Sequence, residues 1–226
     1  LMDEKDKKCI GIIFGGKSNE HEVSIASAKS IVQAFNSNSN REKFEIKLFY
    51  ITKTGIWLKS KISNLILRDE KSLNELRLNM IYEDGNNCLK NLDCNGIDIW
   101  FPILHGLSGE DGTIQGLLSL SEKPFVGSGI LGSSLGMDKI SMKLIFSQLK
   151  IPQVKYLPIF SFDNRDKDLS NKITQEILKN LNFPIFIKPS NSGSSLGISK
   201  VNDQSEIKAA LEKASKIDKR IVIEEG

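Results

Sequence analysis

Apolar residues dominate the stretch Cys9-Ile10-Gly11-Ile12-Ile13-Phe14, and a run of this length predicts a strand buried on both faces of a parallel sheet. Gly15-Gly16 and a polar segment follow. Ile25, Ala28, Ile31, Val32 and Phe35 then recur at helical spacing, with Ser24 in position to cap the helix. Strand, glycine turn and helix form the first unit of an open α/β sheet, whose ligands bind beyond the carboxyl ends of the strands. Alternation from Phe44 to Ile51 predicts a second strand, and Thr52-Lys53-Thr54-Gly55 turns it into a third at Ile56-Trp57-Leu58. Residues 60–95 are weakly patterned and predict irregular structure with short strands and solvated charges. Asp98 to Leu104 is again a buried strand.

Pro124-Phe125-Val126 reads as a strand broken by Gly127-Ser128-Gly129, and a domain division is expected there, giving units 1–126 and 127–226. Beyond it the pattern predicts a helix from Gly132 to about Leu149, a strand from Val154 to Phe160, and a helix from Ile173 to Leu181. A strand from Ile185 to Lys188, a polar loop and a strand from Gly197 to Val201 come next. A helix capped near Asp203 and a strand from Arg220 to Glu224 complete an antiparallel α+β unit.

Composition narrows the classes. With 39% hydrophobic and 26% charged residues the chain is globular, and 226 residues suffice for one large domain or two small ones. Thirty-one basic against 28 acidic residues leave a net charge of +3, and the lysines form no basic stripe with interleaved aromatics, so nucleic acid is not an expected partner. Cys9, Cys88 and Cys94 are an odd number without a C-x-x-C pair, which fits a reducing cytoplasm and neither a disulfide framework nor a zinc site. No targeting or membrane-spanning segment is visible. Leu1 ahead of Met2, and Glu224-Glu225-Gly226 straight after an apolar strand, suggest that neither end is a natural one.

Candidate chemistry gathers at three loops. Glu20 lies just past the first strand, where an acidic side chain would repel a pyrophosphate and suits an ammonium; equally, it can stabilise the helix N-terminus as a solvated carboxylate. Gly15-Gly16 also lacks the G-x-G-x-x-G spacing of a dinucleotide site. His105 ends the strand from Asp98 and opens a glycine loop through Gly116, where it can either line a ligand or serve the structure. Glu110 and Asp111 are expected to orient that loop, with Asp111 or Thr113 capping the next helix. Between Phe186 and Ile198, Gly193 and Gly197 allow backbone N–H groups to approach an anion, serine hydroxyls add donors, and Lys188 adds a point charge. This loop reads as a phosphate cradle or as a plain surface hairpin. It is not a P-loop, because G-x-x-x-x-G-K-S/T is missing and no helix starts at the glycines.

Four motifs in order carry a resemblance. Gly15-Gly16-x-Ser18-x-Glu20-x-Glu22-Val23-Ser24, His105-Gly106-x-x-Gly109-Glu110-Asp111-Gly112-x-x-Gln115-Gly116, Met137-Asp138-Lys139, and Lys188-Pro189 through Gly193-Ser194-Ser195-x-Gly197 resemble D-alanine:D-alanine ligase, an ATP-grasp family of bacterial cell-wall synthesis. The resemblance runs from about Lys8 to Gly226. It implies an α/β fold, with an amino-terminal open parallel sheet of Rossmann-like, pre-ATP-grasp type followed by an incomplete α+β ATP-grasp domain.

The roles it implies are as follows. Glu20 binds the ammonium of the first D-alanine and His105 lines the same site. Lys139 and Lys188 reach the ATP phosphates, Ser195 contacts phosphate, and Ser194 faces the amino-acid side. Glu224 accepts from the adenine amino group with Glu225 beside it, where the family often has lysine. Glu20 and Ser194 are thus the catalytic candidates in this chain. The resemblance also implies a magnesium (or manganese) ion, whose ligands lie beyond Gly226 together with an oxyanion arginine and a lid tyrosine, and a homodimer for the complete protein. On that basis the 226 residues alone are expected not to turn over. A D-alanine:D-lactate or D-alanine:D-serine ligase and a non-catalytic nucleotide- or amino-acid-binding remnant are the alternatives.

Overall fold

The computed structural model describes residues 7–37, 39–58, 60–69, 94–163 and 165–226. By contacts the chain divides into two units, 1–133 and 134–226.

In the first unit β1 (Lys8–Gly15) pairs in parallel with β2 (Phe44–Ile51) on one side and β4 (Ile99–Ile103) on the other. The two-residue β3 (Trp57–Leu58) joins β2 antiparallel, giving the order β3-β2-β1-β4. Alternate side chains of β1 feed different faces. Ile10, Ile12 and Phe14 pack with Ala28 of α1 (His21–Phe35) and with Ile66 and Leu67 of α3 (Ser60–Asp69). Cys9 and Ile13 pack on the other face with Trp100, and with Ile114 and Leu118 of α4 (Thr113–Ser119). A short α2 (Asn40–Lys43) leads into β2. Gly11 pairs with Trp100 across β1 and β4, and a Cβ at Gly11 would lie 2.5 Å from the indole ring, so only glycine admits that ring.

Three expectations change here. Helix α1 begins at His21, one turn before Ser24, whose hydroxyl is turned inward: it accepts from Gly15 N at 2.8 Å and donates to the Ile103 carbonyl, tying α1 to the ends of β1 and β4. Residues 60–69 form α3 rather than irregular structure, because Ile66 and Leu67 bury against the sheet and the Ser63 hydroxyl accepts from Tyr50 N at 3.0 Å; the rest of the stretch read as irregular lies, for residues 70–93, outside the described residues. Phe125 contributes one bridge to Trp100 and no strand.

The second unit is an antiparallel sheet in the order β5-β8-β6-β7: β5 (Tyr156–Ile159), β8 (Ile221–Glu225), β6 (Ile185–Pro189) and β7 (Ser199–Val201). Its core joins Ile185, Ile187, Ile221 and Ile223 to Ile173 and Ile177 of α7 (Lys167–Asn180) and to Ile207 and Leu211 of α8 (Ile207–Ser215). The helix expected from Gly132 to Leu149 is two, α5 (Ile130–Met137) and α6 (Lys139–Gln148). Asp138 takes an extended backbone between them and caps α6, accepting from Ser141 N at 2.7 Å. The division between units falls inside α5. No helix among the described residues is long and apolar enough to cross a membrane.

Candidate functional site

In the first unit, the carboxyl ends of β1 and β4 hold Glu20 and His105. Gly15 and Gly16 both adopt left-handed backbones, φ 91° and 95°, which turn the chain sharply off β1. The turn is fixed from below. The imidazole of His21, 2% exposed, sets Nδ1 2.5 Å from the Gly16 carbonyl and Nε2 2.8 Å from the Tyr50 hydroxyl. A carbonyl can only accept, so Nδ1 carries the proton and Nε2 accepts from Tyr50. Burial, and then the charge of Glu22, push the Tyr50 phenol up, so it stays protonated to donate.

Glu20 follows as the residue before α1, its backbone N–H donating to Ser18 Oγ at 3.2 Å. A Cβ on Gly106 would lie 2.7 Å from Glu20 Oε2 and 3.3 Å from Ser18 Cβ, so the carboxylate sits directly against the glycine that follows His105. His105 Nε2 lies 3.3 Å from Ser27 Oγ on α1. Glu110 and Asp111 act within the loop, as their adjacency suggested. Glu110 Oε2 accepts from Gly106 N at 2.7 Å, and Asp111 accepts from Ser108 N at 2.9 Å and Thr113 N at 3.0 Å. Burial would raise the Asp111 carboxyl, but these bonds from Ser108 and Thr113 outweigh it and hold it low. Glu20 thus lies against Gly106, the residue after His105, while the His105 ring turns to Ser27 on α1.

In the second unit the lysines converge on one acid. Glu224 Oε2 accepts from Lys188 Nζ at 2.6 Å and Oε1 faces Lys143 Nζ at 3.2 Å. Burial alone would raise the Glu224 carboxyl, yet the hydrogen bonds and charges of Lys188 and Lys143 hold it below its ordinary value. Phe186 pairs with Glu224 across β6 and β8, and Lys188, two residues on, shares that sheet face. Lys139 opens α6, its Nζ donating to the Ser192 carbonyl at 2.6 Å and the Ser190 carbonyl at 3.5 Å. Burial and then the nearby Lys188 charge depress the Lys139 ammonium, partly offset by Glu224, Asp138 and Asp218. The start of α6 is clamped to the end of β6 through Ser190, whose hydroxyl donates to Asp138 Oδ2 at 3.0 Å and accepts from Ile140 N at 3.1 Å. Arg220 closes the clamp with Nη2 3.1 Å from Asp138 Oδ1.

The loop after β6 departs from expectation in one respect. Its left-handed residues are Ser194, Ser195 and Gly197, φ 46°, 57° and 75°, and Gly193 is not among them. Buried Ser192 braces it by donating to the Gly193 and Leu196 carbonyls at 3.2 and 3.1 Å, while Ser194 and Ser195 stay exposed. A Cβ at Gly197 would press on Pro189 at 2.8 Å and Ile217 at 3.0 Å. Glu225 is not gathered with the lysines. Strand alternation turns it to the opposite face, where Oε1 accepts from Asn182 N at 2.9 Å and Nδ2 at 3.0 Å, with Lys155 Nζ at 3.8 Å.

Residues 9–128 match the family described as D-ala D-ala ligase N-terminus, and residues 145–226 the one described as D-ala D-ala ligase C-terminus. The chain belongs to the D-Ala–D-Ala ligase family. The D-alanine--D-alanine ligase of Prochlorococcus marinus strain AS9601 is 59% identical over 97% of this chain and 62% of its own length. That of strain MIT 9215 is 58% identical over 100% of this chain and 64% of its own length. The chain therefore spans somewhat less than two thirds of these relatives, 62% and 64%. Among solved structures, the VanG D-Ala:D-Ser ligase from Enterococcus faecalis aligns with a TM-score of 0.75 at 34% identity, covering 97% of this chain and 63% of that one. The D-alanine-D-alanine ligase from Coxiella burnetii aligns with a TM-score of 0.75 at 26% identity, covering 98% and 62%.

Lys143 and His21 are the residues that sequence reasoning passed over. An isolated lysine on a helix reads as solvated surface, but Lys143 is one turn beyond Lys139, and that i, i+4 spacing puts both ammoniums on one face. His21 carries no comparable signal in its spacing.

Proposed function

We propose that this protein joins two D-alanines into D-alanyl-D-alanine at the expense of ATP, through an acylphosphate, in the synthesis of peptidoglycan precursors. The observation that carries this reading is the pair Lys139 and Lys188, whose ammonium charges act on one another beside a loop that exposes Ser194 and Ser195. A polyphosphate answers that repulsion. In the other unit, Glu20, packed against Gly106 just past the end of β1, offers a carboxylate to an ammonium.

A carboxylate is a poor electrophile, because its charge is shared by two oxygens. Phosphorylation gives it a leaving group, and the amine of a second D-alanine then displaces phosphate. Glu20 holds the first ammonium, His105 lines that site, and Lys139 and Lys188 neutralise charge on the phosphates. Ser195 donates to phosphate and Ser194 serves the amino-acid side. Glu224, each of whose oxygens keeps a lone pair beyond the lysine bonds, accepts from the adenine amino group, with Glu225 beside it through the backbone.

Magnesium or manganese, when bound, adds to the charge neutralisation. Among the described residues no group of three or more His, Cys, Asp or Glu could hold it. No step here runs through the ion. A cytoplasmic homodimer is the assembly that accords with this reading.

The test is phosphate release from ATP by the protein extended to its relatives' length, with D-alanine, D-serine and D-lactate offered as acceptors. D-alanine-dependent release is expected. Preference for another acceptor would replace the substrate, and no release with any of them would sink the reading. Glu20→Gln should weaken D-alanine binding about a hundredfold, since an ammonium loses its charged partner, while nucleotide binding stays as it was. For the 226 residues alone, calorimetric binding of ATP or D-alanine without turnover is expected.

A further inference from the structure

Lys143 has a burial that a surface lysine does not tolerate: it is 7% exposed, and its Nζ stands 3.2 Å from Glu224 Oε1 and 4.9 Å from the centroid of the Tyr156 ring. Its backbone carbonyl accepts from Gln153 Nε2 at 3.0 Å, which fixes the turn of α6 that carries it. An ammonium so deeply placed, with one carboxylate and one aromatic face for company, cannot reach out to a bound phosphate. Lys188 can: its side chain is 22% exposed, and it shares the same carboxylate, whose own exposure is 12%.

The two lysines therefore have unequal freedom around one buried acid. If Lys188 turns to a polyphosphate, Glu224 loses its shorter ion pair, 2.6 Å, and a buried carboxylate without a cation is strongly disfavoured. Lys143 remains on the other oxygen.

We infer that Lys143 is a positioning residue for nucleotide binding, a fixed counter-ion that keeps Glu224 charged and oriented so that Lys188 can be released to the phosphates. This rests on the proposed function. Lys139 does not substitute for it, being held by the Ser190 and Ser192 carbonyls. Asp138 is likewise committed, to Arg220, Ser141 and Ser190.

Titration of the complete ligase with a non-hydrolysable ATP analogue, alongside KM for D-alanine, tests this. Lys143→Met should weaken the analogue about tenfold, the loss of one charged hydrogen bond, and leave the D-alanine KM unchanged. Lys143→Arg should restore most of the affinity. Should Lys143→Met not fold, Lys143→Gln, which removes the charge but keeps a polar amide, reads the same effect. In a Glu224→Gln background there is no carboxylate to support, so Lys143→Met should add little further loss. A folded Lys143→Met or Lys143→Gln that binds the analogue as the parent does would overturn the inference, as would equal losses toward nucleotide and D-alanine. Failure of the parent itself to bind the analogue would instead overturn the nucleotide reading on which the inference depends.

Discussion

The two units solve the placement of charged groups differently. At the end of the parallel sheet, Glu20 and His105 take their positions from backbone: two left-handed glycines, a buried His21–Tyr50 pair beneath them, and a Ser24 hydroxyl that joins the ends of β1 and β4. In the antiparallel unit the functional side chains hold one another, Lys188 and Lys143 on Glu224, Arg220 and Ser190 on Asp138. A backbone-built site should be intolerant of changes in shape and indifferent to charge elsewhere. A site built from ion pairs should respond to charge and pH.

The strongest way to break this contrast is at Gly15. Its φ of 91° and the Ile51 carbonyl against any added Cβ make Gly15→Ala a cost of about 3 kcal/mol in stability, measured by denaturant unfolding. A variant that unfolds like the parent would show that the turn off β1 is not held as described.

Acid unfolding probes the other unit. The folded Glu224 carboxyl lies below its ordinary 4.5, so its contribution is present above that value and is lost as pH falls through the depressed folded one. Glu224→Gln removes that contribution, and its stability should fall less steeply with acid than the parent's. Parallel acid limbs would mean that the lysine pairs contribute nothing to stability.

The smallest effect is expected at Ser195. Its left-handed φ of 57° costs a non-glycine residue roughly 1 kcal/mol, and glycine returns a similar amount in unfolded-state entropy, so Ser195→Gly should shift stability by less than about 1 kcal/mol. Its phosphate affinity should drop all the same, which a nucleotide titration would detect.

Much of this was legible from apolar pattern. The apolar runs at Cys9–Phe14 and Asp98–Leu104 became β1 and β4, and the alternation from Phe44 to Ile51 became β2, because both patterns are written in the strand itself without help from distant residues. What failed was local reading of side chains with long-range partners. Ser24 suits an N-cap by type, but a carbonyl on β4 recruits it inward. Asp138 breaks a helix that periodicity would continue, because Ser190, 52 residues later, and Arg220, 82 residues later, claim its carboxylate. At the candidate sites, Glu20, His105, Lys139 and Lys188 stand out by motif, whereas Lys143 has only its i, i+4 spacing from Lys139 and takes its meaning from Glu224, which faces it from β8.

The order of strands in the antiparallel sheet has a consequence for how the chain is made. Strand β8 is the last in sequence yet lies inside the sheet, flanked by β5 and β6. A chain emerging from the ribosome therefore has every described strand of its first sheet once Ile103 is out, whereas β5 and β6 share no described neighbour until residues 221–225 arrive to be threaded between them.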